Sequence, residues 1–234
     1  VEVTDFSLAD LTEENISFLR SKWVEYGLIV FPKLPLSHDE FKDFALSFGD
    51  FGDDPFISSL PDYPNIAEIK RSANEKATPF GGTWHSDWSF MKKPPSATLL
   101  HSKIIPPVGG NTLFANTERS FAALPEEMKN KLRNLKVIHS AKIPYADDGF
   151  YALEKEERSM KILPSKEAKA TFSHPMIKIH PETKKECLFI NPVYTINIEG
   201  FSEDESQQLL WELYEHMIQD QFVYEHVWNK DMLI

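Results

Sequence analysis

The apolar positions of this chain follow two rhythms. Near the start, "LTEENISFLRSKWVEYG" places Ile16, Leu19, Trp23 and Tyr26 at helical spacing, with Thr12 as N-cap and Gly27 as the stop. "SHDEFKDFALSFGD" repeats the pattern: Ser37 caps, and Phe41, Phe44, Ala45 and Phe48 share one face. Between them, "LIVFPKL" reads as a short buried strand ended by proline. These apolar stripes are core positions rather than a cofactor contact.

After Gly49 the period shortens. "NIAEIKR", "TWHSDWSF", "ATLLHSKII" and "NTLFANT" read as strands, the last two joined by the turn "PPVGG". "LPEEMKNKLRNLKVIHS" predicts a helix running into a strand, and "MIKIHPETKKECLFINP" a hairpin that turns at "HPETKK". "SEDESQQLLWELYEHMIQD" predicts an amphipathic helix. Ser202 caps it, acidic residues fill its first turn, and Leu209, Leu213, His216 and Met217 follow at helical spacing. "FVYEHVWNKDMLI" reads as a strand, a turn and the opening of another strand. "YADDGFYALEKEERSMKILPSKEAKATF" has little period and reads as a loop-rich excursion with some helix, of the length in which lids occur. The chain thus reads as mainly β, with flanking helices at the start and near the end. A β-barrel or jelly roll suits that order better than alternating βα units. Without repeats or a linker, 234 residues make one domain.

Composition narrows the partners. A net charge of -11 argues against general affinity for nucleic acid or anionic membrane, and leaves small-molecule substrates open. No apolar run nears the roughly 18 residues of a membrane span. The start, "VEVTDFSLAD", lacks a signal-peptide pattern, so a cytoplasmic location is expected. The single cysteine, Cys187, has no internal disulfide partner, and its setting "ECLFI" marks a structural thiol rather than a nucleophile.

The chemistry concentrates in "FGGTWHSDWSF". Residues two apart on a strand share a face, so His85 and Asp87 would point the same way. An imidazole and a carboxylate suit a divalent metal, and two histidines with one carboxylate form the facial triad of non-haem Fe(II) oxygenases. Alone, the pair is weak evidence: His-X-Asp arises often by chance and reads more readily as a surface histidine beside a turn aspartate.

The run "WHSD", followed by "PPSATLLHSKIIPPVGGNTLF", resembles the taurine dioxygenase (TauD/TfdA-like) family of Fe(II)- and 2-oxoglutarate-dependent oxygenases. "HPMIKIHPETKKECLFINPVYTINIEGFSEDESQQLL" and "HVWNKDMLI" resemble it in order and spacing too, so the likeness covers nearly the whole chain. It implies a double-stranded β-helix, the jelly-roll or cupin-like barrel, with the metal at one end. It implies Fe(II), with 2-oxoglutarate and O2 as cosubstrates. His85 and Asp87 then match two iron ligands, and Thr112 in "GGNTLF" the threonine that holds the distal carboxylate of 2-oxoglutarate. Trp88 and Tyr194 match substrate-pocket walls. Phe90 is open between packing near the metal and filling the core. The family's third ligand, a histidine, and the arginine that pairs with 2-oxoglutarate are expected beyond Ile234, so residues 1–234 would be a single domain lacking its C-terminal segment. His38, His101, His139, His174, His180, His216 and His226 are not assigned to iron.

The resemblance implies hydroxylation of a small organic substrate, with C–S, C–O or C–N cleavage as a sequel, and release of succinate and CO2. Asp87 bears on this outcome, because halogenating relatives lack that carboxylate. Asp54 falls near the histidine that holds the sulfonate in taurine-specific members, and Gly81 or Gly82 where they carry asparagine. Asp54 therefore reads either as an anchor for a cationic or zwitterionic substrate, aided by Trp88 and Tyr194 through cation–π contact, or as a solvated turn residue in "GDDP". The alternative function is a non-catalytic barrel serving as a binding module. Homo-oligomers are common in the family, and that expectation is analogy alone.

Overall fold

The computed structural model describes residues 1–234. Helix α1 (Glu13–Tyr26) starts where the Thr12 hydroxyl accepts the Asn15 N–H at 3.2 Å, and stops at Gly27, whose φ of 75° is easy only for glycine. Helix α2 (His38–Leu46) opens with a capping box between Ser37 and Glu40. Leu19 and Phe44, each 2 % exposed, pack with Phe31, Leu34, Leu36 and Leu233 into one core.

A short hairpin of β1 (Ser59–Leu60) and β2 (Tyr63–Ala67) follows. After a long irregular stretch, β3 (Thr112–Ala115) leads into α3 (Thr117–Ala122) and α4 (Glu126–Leu132). Next come β4 (Lys136–Ser140), two single-turn helices α5 (Lys142–Tyr145) and α6 (Phe150–Leu153), and β5 (Thr171–Pro175). The hairpin β6 (Ile177–Ile179) and β7 (Glu186–Leu188), then β8 (Thr195–Ile198), α7 (Glu203–Met217) and β9 (Val223–His226) complete the order.

The strands form four small antiparallel sheets: β1-β2, β3-β9, β5-β4-β8 and β6-β7. This corrects the mainly β expectation: the architecture mixes helices with small sheets, and no closed barrel is formed by these ladders. The reason is local. Residues 28–34 and 97–105 make only isolated bridges, with bends at Pro32, Lys33 and Lys103, and prolines 32, 35, 94, 95, 106 and 107 in and around them cannot donate to a ladder. "TWHSDWSF" is not a strand: it runs irregularly to Ser86 and turns over 87–90. β3 pairs with β9 rather than across "PPVGG".

The bridges still order the chain. Val3 N–H donates to Val30 O at 2.8 Å, Phe31 and Leu233 exchange bonds of 2.7 and 3.1 Å, and Leu100 and Ile234 exchange two of 3.0 Å. Residues 231–234 therefore lie between residues 30–31 and 100–102. A second core joins α3, α4 and α7 to the sheets through Leu132, Val137, Met176, Leu188, Ile198 and Leu213. A third is aromatic: Phe56, Phe90, Tyr145 and Tyr194, with Phe80, Trp88 and Tyr151 against them. Cys187 is half-buried; its thiol donates to Lys178 O, and burial pushes its pKa up, as suits a structural thiol. No helix is long and apolar enough to cross a membrane.

Candidate active site

His85 and Asp87 meet although they share no strand. A turn does the work: Ser89 N–H donates to Ser86 O at 3.2 Å and Met91 N–H to Trp88 O at 2.8 Å. His85 Nε2 stands 3.1 Å from Asp87 Oδ1, with the two side chains 30 % and 42 % exposed. His85 Nδ1 lies 2.7 Å from Thr83 O. A carbonyl only accepts, so Nδ1 carries the proton, and in the neutral ring Nε2 aims its lone pair at a carboxylate oxygen. That contact needs either a second proton or a cation between the two atoms. The hydrogen bond to Asp87 accordingly raises the His85 pKa, against burial. At Asp87, burial pushes the pKa up, but the bonds from His85 and Thr98 outweigh it and hold the carboxyl below its usual range.

The pair fits a divalent metal. Bonds of about 2.1 Å at a right angle leave two donor atoms roughly 3.0 Å apart, close to the spacing observed. The second Asp87 oxygen is tied down by the Thr98 hydroxyl, which donates to Oδ2 at 2.6 Å. Gly81 precedes the pair with a φ of +69°, a backbone conformation that favours glycine; a Cβ there would only touch His85 Cε1, at 3.6 Å. Within residues 1–234 no third histidine, cysteine, aspartate or glutamate joins the pair.

Aromatic residues back the pair. The Tyr194 ring meets His85 edge-on at 6.4 Å between centroids and packs on Phe90 at 4.8 Å. Phe90 touches Phe56, which stacks on Tyr145 at 5.0 Å. Phe90 is 6 % exposed and fills this core; Tyr194 is buried, and burial raises its pKa, with the Asp87 and Asp54 charges adding to the rise. Trp88 adopts a φ of 48°. Its indole N–H donates to Asp54 Oδ2 at 2.8 Å, while Asp54 Oδ1 accepts the Phe56 and Ile57 N–H groups at 2.8 and 3.0 Å. Asp54 is thus engaged with protein donors and is not a solvated turn residue. Thr112 belongs to another cluster: it pairs across strands with His226, and its hydroxyl accepts the Trp228 indole N–H at 2.9 Å.

Sequence reasoning missed Thr98 and a buried network behind the turn. Ser89 Oγ accepts from Asn191 Nδ2 at 2.9 Å and lies 3.1 Å from His139 Nδ1; His139 Nε2 lies 3.2 Å from the Thr195 hydroxyl. His174 Nε2 donates to Met91 O at 2.9 Å. Burial, and the nearby His174 charge, depress His139 to about 3, so it is neutral near pH 7. None of these residues carries a local signal. They are polar positions in unremarkable strands and turns.

Solved structures place this architecture. A protein from Burkholderia xenovorans, solved as a candidate α-ketoglutarate-dependent taurine dioxygenase, superposes with a TM-score of 0.79 at 25 % identity, over 99 % of this chain and 76 % of that one. The fold is also that of AAD-2, solved with Mn(II) and N-oxalylglycine (TM-score 0.71, 21 % identity, 99 % of this chain and 81 % of that one). The class is that of the α-ketoglutarate (2-oxoglutarate)-dependent dioxygenases. Residues 1–234 match the taurine catabolism dioxygenase TauD, TfdA family, and the chain belongs to that family. Relatives include the α-ketoglutarate-dependent 2,4-dichlorophenoxyacetate dioxygenase of Cupriavidus pinatubonensis, 29 % identical over 225 residues, 90 % of this chain and 75 % of that protein. The α-ketoglutarate-dependent sulfonate dioxygenase of Saccharomyces cerevisiae is also 29 % identical over 225 residues, but these are 92 % of this chain and 52 % of that protein.

Proposed function

We propose that this dioxygenase holds Fe(II) through His85 and Asp87 and uses 2-oxoglutarate and O2 to hydroxylate a small organic substrate. The carrying observation is the His85 Nε2 to Asp87 Oδ1 contact of 3.1 Å, with the Nδ1 proton committed to Thr83 O. Bound there, Fe(II) with 2-oxoglutarate would activate O2, so that substrate C–H becomes C–OH while 2-oxoglutarate leaves as succinate and CO2. Every other task falls to the protein. Thr83 selects the histidine tautomer and Thr98 orients the carboxylate. Thr112 offers its hydroxyl to the distal carboxylate of 2-oxoglutarate. Trp88, Tyr194 and Phe90 form an aromatic backing on the inner side of the pair, and the segment at Asp54 joins that backing through Trp88. A third ligand, a histidine, comes from outside residues 1–234, where no further donor joins the pair. In the finer fold reading, the small sheets and the bridged segments together trace a double-stranded β-helix.

The relatives' names, phenoxyalkanoates and sulfonates among them, carry to this chain as a substrate class: a small organic acid whose apolar part rests on the aromatic wall. Asp54 is committed to the protein rather than aimed at a substrate cation: two backbone N–H groups bond one of its oxygens and the Trp88 indole N–H the other. A panel of sulfonates, aryloxyalkanoates and quaternary ammonium compounds, scored by substrate-dependent succinate, tests the class. Turnover confined to the ammonium compounds would reject it. The metal reading is tested without substrate. Full-length protein under anaerobic conditions, given Fe(II) and 2-oxoglutarate, should develop a weak visible charge-transfer band that His85→Ala and Asp87→Ala abolish. A band unchanged in both variants rejects these ligands.

A further inference from the structure

We infer that Asp54 is a positioning residue: it holds the Trp88 indole, and through it the turn that carries Asp87, rather than binding substrate. The consequence for metal rests on the reading of His85 and Asp87 given above; the contact geometry does not.

Trp88 needs holding. A φ of 48° is rare for a bulky residue and persists only where the surroundings impose it. One strip of chain supplies the restraint. The Asp54 carboxylate takes the indole N–H at 2.8 Å on one oxygen and two backbone N–H groups on the other. Two residues earlier, Gly52 lies under the same ring: a Cβ there would stand 2.3 Å from Trp88 Cζ3, an impossible contact. Bare backbone beneath and a carboxylate at the edge make a cradle for one indole.

The strip is itself anchored. Leu163 N–H donates to Phe56 O at 2.8 Å and Ser58 N–H to Lys161 O at 3.0 Å, while Phe56 is 3 % exposed in the aromatic core. On the opposite side, the turn is pinned by Asn191 and His139 at Ser89 and by His174 at Met91 O. Asp54 and Gly52 are therefore the near-side restraint on a turn whose far side is already fixed. Asp87 sits one residue before Trp88, so a released indole frees the backbone next to the proposed ligand.

The test uses the full-length protein and Mn(II) alone, with affinity read by electron paramagnetic resonance, and the indole N–H resonance of Trp88 read by nitrogen-15 NMR. Asp54→Asn has one acceptor oxygen for two sets of donors, so it should shift the indole resonance and weaken Mn(II) roughly tenfold, as lost outer-shell partners do. Gly52→Ala keeps the carboxylate yet displaces the ring, and should do the same. Trp88→Phe should lose a similar factor, and Asp54→Asn added to it should cost little more, because both act through one contact. If Asp54 instead binds substrate, Asp54→Asn raises only the substrate KM, leaves Mn(II) affinity and the resonance unchanged, and is not mimicked by Gly52→Ala. That result, or additive effects in the double variant, overturns the inference. Should Gly52→Ala fail to fold, the Asp54→Asn and Trp88→Phe cycle decides alone. If His85→Ala leaves Mn(II) affinity intact, the metal reading fails, and the indole resonance still decides whether Asp54 and Gly52 hold Trp88.

Discussion

Single side chains set the donors of the site. Thr98 has one evident task, to donate to Asp87 Oδ2. Thr98→Val keeps the shape and removes the hydroxyl, so metal affinity of the full-length protein should fall roughly tenfold, with little change in thermal stability. Co(II) titration followed by visible absorption checks it; unchanged affinity would make Thr98 a bystander. His139 governs a different property. Its folded-state pKa of about 3 lies below the ordinary value of 6.5, so the unfolded chain takes up this proton first. Its contribution to stability is full above about pH 6.5 and is lost as pH falls toward 3, at about 1.4 kcal/mol per pH unit. His174 and Lys178 face the same ring and push in the same direction. Urea midpoints between pH 7 and pH 4.5 should fall in the native protein and fall less in His139→Gln.

At the scale of elements, caps and buried faces decide what forms. Helix α7 opens with Ser202 and Glu205 in a capping box and buries Leu209, Leu210, Leu213 and Met217. Ser202→Ala should lower stability by about 1 kcal/mol, whereas Leu213→Ala, in the core between α7 and the sheets, should cost about 2–5 kcal/mol. Urea denaturation separates the two, and equal losses would mean that α7 is held by its end rather than its face. The first two helices follow the same rule. The strands do not, because a strand's partner is not local. β3 continues into α3 and pairs with β9 from the far end of the chain, so its neighbour in sequence gives no clue to its neighbour in space.

Across the whole molecule, residues 231–234 link the N-terminal core to the segment that carries Thr98. Leu233 is fully buried, exchanges hydrogen bonds with Phe31, and lies next to the Ile234 pair with Leu100. Leu233→Ala should cost about 2–5 kcal/mol and speed hydrogen exchange at the Phe31 and Leu100 amides together. Faster exchange at Phe31 alone would show that the two contacts are independent.

The sequence by itself determined the features that depend on neighbours along the chain. The caps at Thr12, Ser37 and Ser202, the stop at Gly27 and the hairpin around "HPETKK" were legible because each acts within a few residues. His85 and Asp87 were legible as a pair for the same reason, though as a strand pair, and a turn brings them together instead. The tertiary structure alone decided the rest. Thr98 reaches Asp87 across 11 residues, Asp54 reaches Trp88 across 34, and Ser89 meets His139 and Asn191 across 50 and 102. Such contacts depend on how distant segments close on each other, and no local spacing records that. Several segments read as strands from the period of 2 form isolated bridges instead of ladders, beside prolines that have no N–H to donate, and these bridges tie Val30, Phe31 and His101 to residues far along the chain.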